Sequence, residues 1–394
     1  MAIVINGSGT VTGLSVGGLP DGTVDNDTIA SGLASSKLTG ALPAISGASL
    51  TSLPSQKINP NLIINGAMQV SQRNSGTVAQ ANSSNEGYAT LDRFALQFGN
   101  NAGGTITTSQ STTSPDGFGN SYKLDVTSAD TSVGDTELVY VQQVIEAQNM
   151  VNSGWDYTDS SSNMTLSFWV RNSKTGTYCV AFNNFDAGDR MYTAEYTVST
   201  ADTWEKKTVT IPGNSNLSFN LDNGAGLAVY FILASAAGRQ ASAGSWTGGS
   251  PAYGTSNQVN FLDSTSNVMY LTGVKLEVGD TATDFQHRSY GEELALCQRY
   301  YYQVANGASQ EIGSGWYYSN SMVVSIIELP VPMRANPSVV QASQGDQYGI
   351  YRDSAANTFS TVTRDNGSLN NLRVSVYNNN EVSGTAENCC KYVL

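Results

Sequence analysis

Few side chains in this chain could do chemistry, and their spacing excludes more than it allows. There is one histidine in 394 residues, His287, so no histidine metal cluster can form and only one imidazole base exists. It stands beside Arg288 with no serine-nucleophile motif nearby, and it reads as structural. No P-loop and no dinucleotide-binding glycine fingerprint is present, so no cofactor is expected. Glycan hydrolysis needs two carboxylates at a set separation, and no spacing among the 32 acidic residues marks such a pair. The adjacent Glu292 and Glu293 fit the start of a helix better than a catalytic pair. Asp92, Asp125 and Asp263 have the chemistry to hold a structural calcium, but no loop spacing groups them and no metal site is expected. The cysteines, Cys179, Cys297, Cys389 and Cys390, lack CxxC or zinc-type spacing and read as free thiols, compatible with a reducing cytoplasm. The chain therefore reads as non-enzymatic.

Aromatic side chains offer more. Sugar rings stack their apolar faces on Trp and Tyr, while Asn, Asp and Gln read the hydroxyls. Two clusters have this composition in expected loops. One is Trp246 with Tyr253, in SAGSWTGGSPAYG; the other is Trp316, Tyr317 and Tyr318, after the Gly313 and Gly315 turn. Each is equally readable as core or subunit-interface packing. Trp169 and Trp204 fall within strand-like runs and are expected in a core, while Trp155 fits either setting.

Strands must position these groups. From Asn61 onward, short alternating runs recur: YKLDV (122–126), LVYVQQV (138–144), MTLSFWV (164–170), YCVAF (178–182), YTAEYTV (192–198), WEKKTVTI (204–211) and VMYLTGVKLE (268–277). Gly, Asn, Asp and Ser separate them, which is the pattern of an all-β sandwich or jelly roll. The longest apolar stretch, 226–238, is too short to cross a bilayer and reads as a strand buried on both faces. One helix is expected, where Ser289 and Glu292 form a capping box ahead of ELALCQR. VVSIIEL (323–329) resumes the strands, Pro330, Pro332 and Pro337 interrupt them, and the tail from 348 to 377 alternates again.

The first sixty residues differ. They hold no Trp, Tyr or Phe, so one copy cannot build an ordinary core. Their isolated aliphatics suit either a linker or several chains wound together. No basic, apolar leader is visible at Met1–Gly9. The net charge of −13 disfavours nucleic acid and anionic membranes as partners, and no membrane insertion is expected.

Several segments together resemble phage tail fibres with a carbohydrate-binding-module-like jelly roll. They are NLIINGAMQVSQR (61–73), LDRF (91–94), SFWVRNSKTGTYCVAF (167–182), WEKKTVTIPG (204–213), LTGVKLEVG (271–279), FQHRSYGEELALCQRYYY (285–302) and PVPMRANPSV (330–339). LTGALPAISGASL (38–50) resembles the collar repeats of such fibres. The resemblance implies an all-β virion protein, a homotrimer assembled in the host cytoplasm. It implies an extended virion-attachment and trimerisation segment (1–60), a jelly-roll β-sandwich (61–288), a linking helix (289–302) and a C-terminal β-sandwich-like tip domain (303–394). The N-terminal segment would dock on other virion proteins and the tip on a host surface glycan or protein. A purely structural connector fibre, on head or tail, and a polysaccharide-degrading spike are the alternative roles.

Overall fold

The computed structural model describes residues 61–394 apart from 83, 249–251, 307–309, 320–321, 340–347, 353–354, 360–361, 368, 370, 378–388 and 394. Before residue 61 it describes only the antiparallel pair Val4–Ile5 (β1) and Val11–Thr12 (β2), so the remainder of the attachment segment expected at 1–60 lies outside the described residues. The chain divides between Gln56 and Lys57 into two units.

In the second unit the strands build two six-stranded sheets and a third of seven. The strands of the sandwich are Val78–Gln80 (β3), Ala95–Gly99 (β4), Thr105–Ser111 (β5), Ser121–Ser128 (β6), Leu138–Glu146 (β7), Asn163–Asn172 (β8), Gly176–Asn184 (β9), Arg190–Val198 (β10), Glu205–Pro212 (β11), Ala225–Ser235 (β12), Trp246–Thr247 (β13) and Val268–Val278 (β14). The front sheet runs β13-β10-β9-β12-β7-β4 and the back sheet β11-β8-β14-β6-β5-β3, with every pairing antiparallel. This is the jelly-roll sandwich that the alternating runs predict.

Alternation decides what each strand buries. In β7, Val139 and Val141 face the core while Tyr140 and Gln142 point outward and are half-buried. At the centre, Phe168 of the back sheet meets Tyr196 and Phe231 of the front sheet edge-on, at centroid distances of 5.0 and 5.1 Å. Truncating so buried a ring removes about 3–5 kcal/mol. β12 is buried on both faces, as the 226–238 stretch predicts, because the loop after it folds back across the outside of the front sheet. There Thr193 donates to the Ala252 carbonyl, and Tyr253 N–H donates to the Arg239 carbonyl at 2.9 Å.

Two α-helices occur among the described residues: Ala147–Val151 (α1) and Tyr290–Gln298 (α2). The expected capping box starts α2, with Ser289 Oγ accepting from Glu292 N–H at 3.3 Å and the Glu292 carboxylate accepting from Ser289 N–H at 2.9 Å. Its neighbour Glu293 is buried and accepts from Asn65 N–H and Arg288. Beyond α2, Glu311–Ser319 (β15), Met322–Glu328 (β16), Tyr348–Arg352 (β17), Ala355–Phe359 (β18), Thr363–Gly367 (β19), Asn371–Tyr377 (β20) and Cys389–Val393 (β21) form the third sheet, in the order β18-β17-β21-β15-β16-β20-β19.

The tryptophans settle differently from expectation. Trp155 is buried, donating from Nε1 to the Ser162 carbonyl at 3.1 Å. Trp169 and Trp204 are not core residues: both are half-buried on the outside of the back sheet. The core-facing positions of β8 go to its alternate residues Phe168 and Val170, so Trp169 must face out, against Gly273. Trp204 lies just before β11, with its ring 6.2 Å from that of Tyr270.

Candidate functional site

The outer face of the front sheet carries a tyrosine shelf. Register places it: Tyr230 of β12 stands opposite Gln142 of β7 and Ala181 of β9, Ile232 stands opposite Tyr140, and Ala228 stands opposite Asn183. The returning loop adds Tyr253. Tyr140 and Tyr253 stack with centroids 5.8 Å apart at 20°, and Tyr230 meets them edge-on at 5.0 and 5.3 Å. Burial pushes the Tyr140 hydroxyl up to about 12, with Tyr253 and Glu86 adding to the shift, so the phenol stays neutral. Burial also raises Tyr230 and Tyr253. Asn183 donates to Asp189 at 3.2 Å, and its buried Oδ1 has no hydrogen-bond partner. The loop covers the β10 side of this face, while Gln97, Gln142 and Val144 stay half-exposed on the β4 and β7 side. The result is an apolar shelf edged by amide and carboxylate groups, which suits the mixed faces of a sugar.

A second region lies where the jelly roll meets α2. Three of the sequence segments that carry the resemblance converge there. Asn65, in the left-handed region at φ 60°, spends its amide on the Val70 and Asp92 carbonyls and accepts from Val70 N–H. Gly66 is required beside it, because a Cβ there would sit 2.1 Å from the Val274 carbonyl oxygen. Gln72 and Arg73 bond the buried Asp92, and the Arg73 guanidinium lies 3.6 Å from the Tyr301 ring centre. The Arg93 guanidinium lies 3.4 Å from the Tyr300 ring centre. Glu146 accepts from Arg299 at 2.8 and 2.7 Å and from the Tyr300 hydroxyl and Gln148. Burial alone would raise Glu146, but Arg299, Tyr300 and Gln148 together hold it below the usual carboxylate range. Burial outweighs Gln72 and Arg73 at Asp92 and raises it. A cavity of about 370 Å³ opens between these groups, bounded also by Tyr88, Asn223 and Arg334.

The residues singled out in the sequence do not share one site. Trp246 packs inward, its ring 5.4 Å from Tyr192 and its Nε1 donating to the Pro212 carbonyl at 2.8 Å, while Tyr253 belongs to the outer shelf. In β15 alternation buries Tyr317 fully and turns Trp316 and Tyr318 to the opposite, exposed face. His287 is exposed and packs against Phe118 and Phe285 with ring centres 4.9 Å away in each case. Asp125 pairs with Lys123, and Asp263 with Lys174 and Asn267, well apart from Asp92 in the chain. No group of three metal-ligating side chains occurs among the described residues. Cys179 and Cys297 are free and buried, with burial raising both thiols. The side chains of Cys389 and Cys390 lie outside the described residues. No described helix is long and apolar enough to cross a membrane.

Sequence reading missed Tyr140, Tyr230 and Asn183. The available signal was the polar aromatic and glutamine at alternate positions of LVYVQQV, which puts Tyr140 and Gln142 on the face away from the valines.

No family model matches the chain, and no curated protein does. Among solved structures, the chain is similar to the enzymatically active domain of tailspike protein 4 from bacteriophage CBA120, at 14% identity and TM-score 0.30, over 56% of this chain and 22% of that one. It thus spans less than a quarter of that tailspike chain. It is also similar to a family 11 carbohydrate-binding module from Clostridium thermocellum, in complex with a β-1,3-1,4-mixed-linked tetrasaccharide, at 11% identity and TM-score 0.26, over 52% of this chain and 96% of that one. The N-terminal cellulose-binding domain of Cellulomonas fimi β-1,4-glucanase C matches at 12% identity and TM-score 0.25, over 55% of this chain and 98% of that one.

Proposed function

We propose that the chain is a non-enzymatic, glycan-binding fibre subunit of a phage virion, and that the glycan seats on the tyrosine shelf of the jelly roll. The observation that carries this reading is the stacked Tyr140–Tyr253 pair with Tyr230, edged by the half-exposed Gln142 and Gln97. The half-buried rings of Tyr140 and Tyr253, backed by the buried Tyr230, supply stacking, and nearby amides supply direction. Trp316 and Tyr318, on the exposed face of the third sheet, form a second contact surface. The fibre setting rests on the ordered set of jelly-roll segments and on the aromatic-free first sixty residues. Three copies of a weak site on one fibre, and several fibres per particle, would sum to firm adhesion.

A glycan array probed with the full chain tests the reading. Binding to defined glycans by the wild type, weakened about tenfold or more in Tyr140→Ala and Tyr253→Ala, supports it. Wild-type chain that binds neither glycans nor host cells would point to a structural connector instead. Shortened glycan after incubation would show a degrading spike. Sedimentation checks the trimer, and a monomer at working concentration would remove that part.

A further inference from the structure

The geometry points to the cavity between the jelly roll and α2 as a subsite for a carboxylate-bearing sugar, an inference that rests on the glycan-binding reading above. Arginines outnumber acids around it, and the acids are already taken. Asp92 is paired with Arg73, and Glu146 with Arg299, Tyr300 and Gln148. Those pairings leave Arg93 and Arg334 without a carboxylate at ion-pair distance among the described residues. Arg93 is only 5% exposed. One face of its guanidinium lies on the Tyr300 ring, its side chain gives one hydrogen bond, to the Val144 carbonyl, and its buried Nε has no partner. A buried guanidinium left short of partners is costly, and an incoming carboxylate would complete it with paired N–H donors.

Two further observations point to a ligand. The Arg93 backbone sits in the left-handed region at φ 73°, a conformation that side-chain-bearing residues rarely adopt and that clusters at binding sites. The volume, about 370 Å³, lies in the range of small-ligand pockets and accommodates one sugar residue. Tyr88, 37% exposed, offers a ring face at the cavity wall, and Asn223 a polar edge. Val144, opposite Ala228 on the shelf face, also lines the cavity, so one oligosaccharide can lie on the shelf and place an acidic residue in the cavity.

Calorimetric titration of the full chain tests this. The probes are glucuronate and N-acetylneuraminate, with glucose, N-acetylglucosamine and acetate as controls. The expected result is at least tenfold tighter binding of an acidic sugar than of the neutral sugars or acetate. Arg93→Lys, which keeps charge but loses the planar fork, and Arg334→Ala should each lower that preference at least fivefold. Tyr88→Ala, at an exposed ring outside the core, provides a variant of lower folding risk and should weaken acidic-sugar binding severalfold. Equal binding of acidic and neutral sugars overturns the inference, as does a preference that survives all three variants. Neutral-glycan binding that is lost in Tyr140→Ala, without any acidic preference, would sink the cavity and leave the shelf standing. Binding of neither class removes both.

Discussion

The shelf and the junction are two polar-aromatic regions of one β-sandwich, and they are built on opposite rules. On the shelf three tyrosines touch one another, no ion pair joins them, and an amide oxygen stays unbonded. At the junction the aromatic rings lie against guanidiniums, and each carboxylate is held by several donors. Satisfied buried networks rigidify, while half-exposed aromatic rings edged by amides keep surface available for contact. The junction therefore positions α2 and the chain beyond it, and the shelf is the surface proposed for contact. Arg93 is the exception inside the junction, buried like its neighbours and unsatisfied like the shelf.

The largest expected effect comes from breaking the junction. Arg299→Ala leaves the Glu146 carboxylate, 2% exposed, without its main partner. The loss is about 3 kcal/mol of stability, read by chemical denaturation. A loss under about 1 kcal/mol would mean the junction is less rigid than its hydrogen bonding implies. Next in size is the shelf. Tyr253→Ala removes one face of the stack and is expected to weaken glycan binding about tenfold, or about 1.4 kcal/mol, with a smaller effect on folding. If stability falls and binding does not, the shelf is packing and the contrast between the regions collapses.

How legible these regions were in the sequence follows from the same contrast. The strands, β12 and the capped α2 could be read because each rests on local spacing: period two, a continuous apolar run, or Ser and Glu three apart. The junction was half legible. Its segments stand out as NLIINGAMQVSQR, LDRF and ELALCQRYYY, yet Arg299 meets Glu146 across 153 positions and Arg288 meets Asn61 across 227, and local spacing says nothing of such pairings. The shelf was least legible. Tyr140, Tyr230 and Tyr253 come from two strands and a loop, joined only by register. Trp246 and Tyr253 lie seven positions apart in sequence yet pack into different clusters, Trp246 against the core between the sheets and Tyr253 on the outer face of the front sheet.

Acid should separate the regions without mutation. Burial opposes ionisation of Glu146, but Arg299, Tyr300 and Gln148 hold its folded pKa below the ordinary value of 4.5. A depressed carboxylate stabilises the fold fully above its unfolded pKa, and that stabilisation fades as pH falls through the folded pKa. Through Glu146, stability should thus fall below about pH 4.5, against an opposite contribution from Asp92, whose raised pKa favours the fold on acidification, and Glu146→Gln should remove the Glu146 part of the profile. The shelf tyrosines, raised by burial, stay neutral throughout that range. Glycan binding measured on still-folded protein should not follow the acid limb; if it did, the two regions would be coupled.

The smallest expected effect belongs to Trp246, where sequence alone permits either packing or sugar contact. Its indole stands against Tyr192 and is held by one hydrogen bond to the Pro212 carbonyl. Trp246→Phe keeps a ring in the same place and removes the N–H, so the Pro212 carbonyl loses its indole donor. The expected loss is about 1 kcal/mol, the ordinary net value of such a bond, with Kd for a shelf-bound glycan changed less than twofold. Phe retains a stacking face, so a sugar that used this ring would also tolerate the change. Trp246→Ala resolves that ambiguity. If Trp246 only packs, the alanine lowers stability by more than the phenylalanine does and leaves glycan affinity of the folded protein in place. If affinity falls with the ring, the contact surface extends from the outer shelf around the β13 edge of the front sheet, and the division between binding face and packed core would have to be redrawn there.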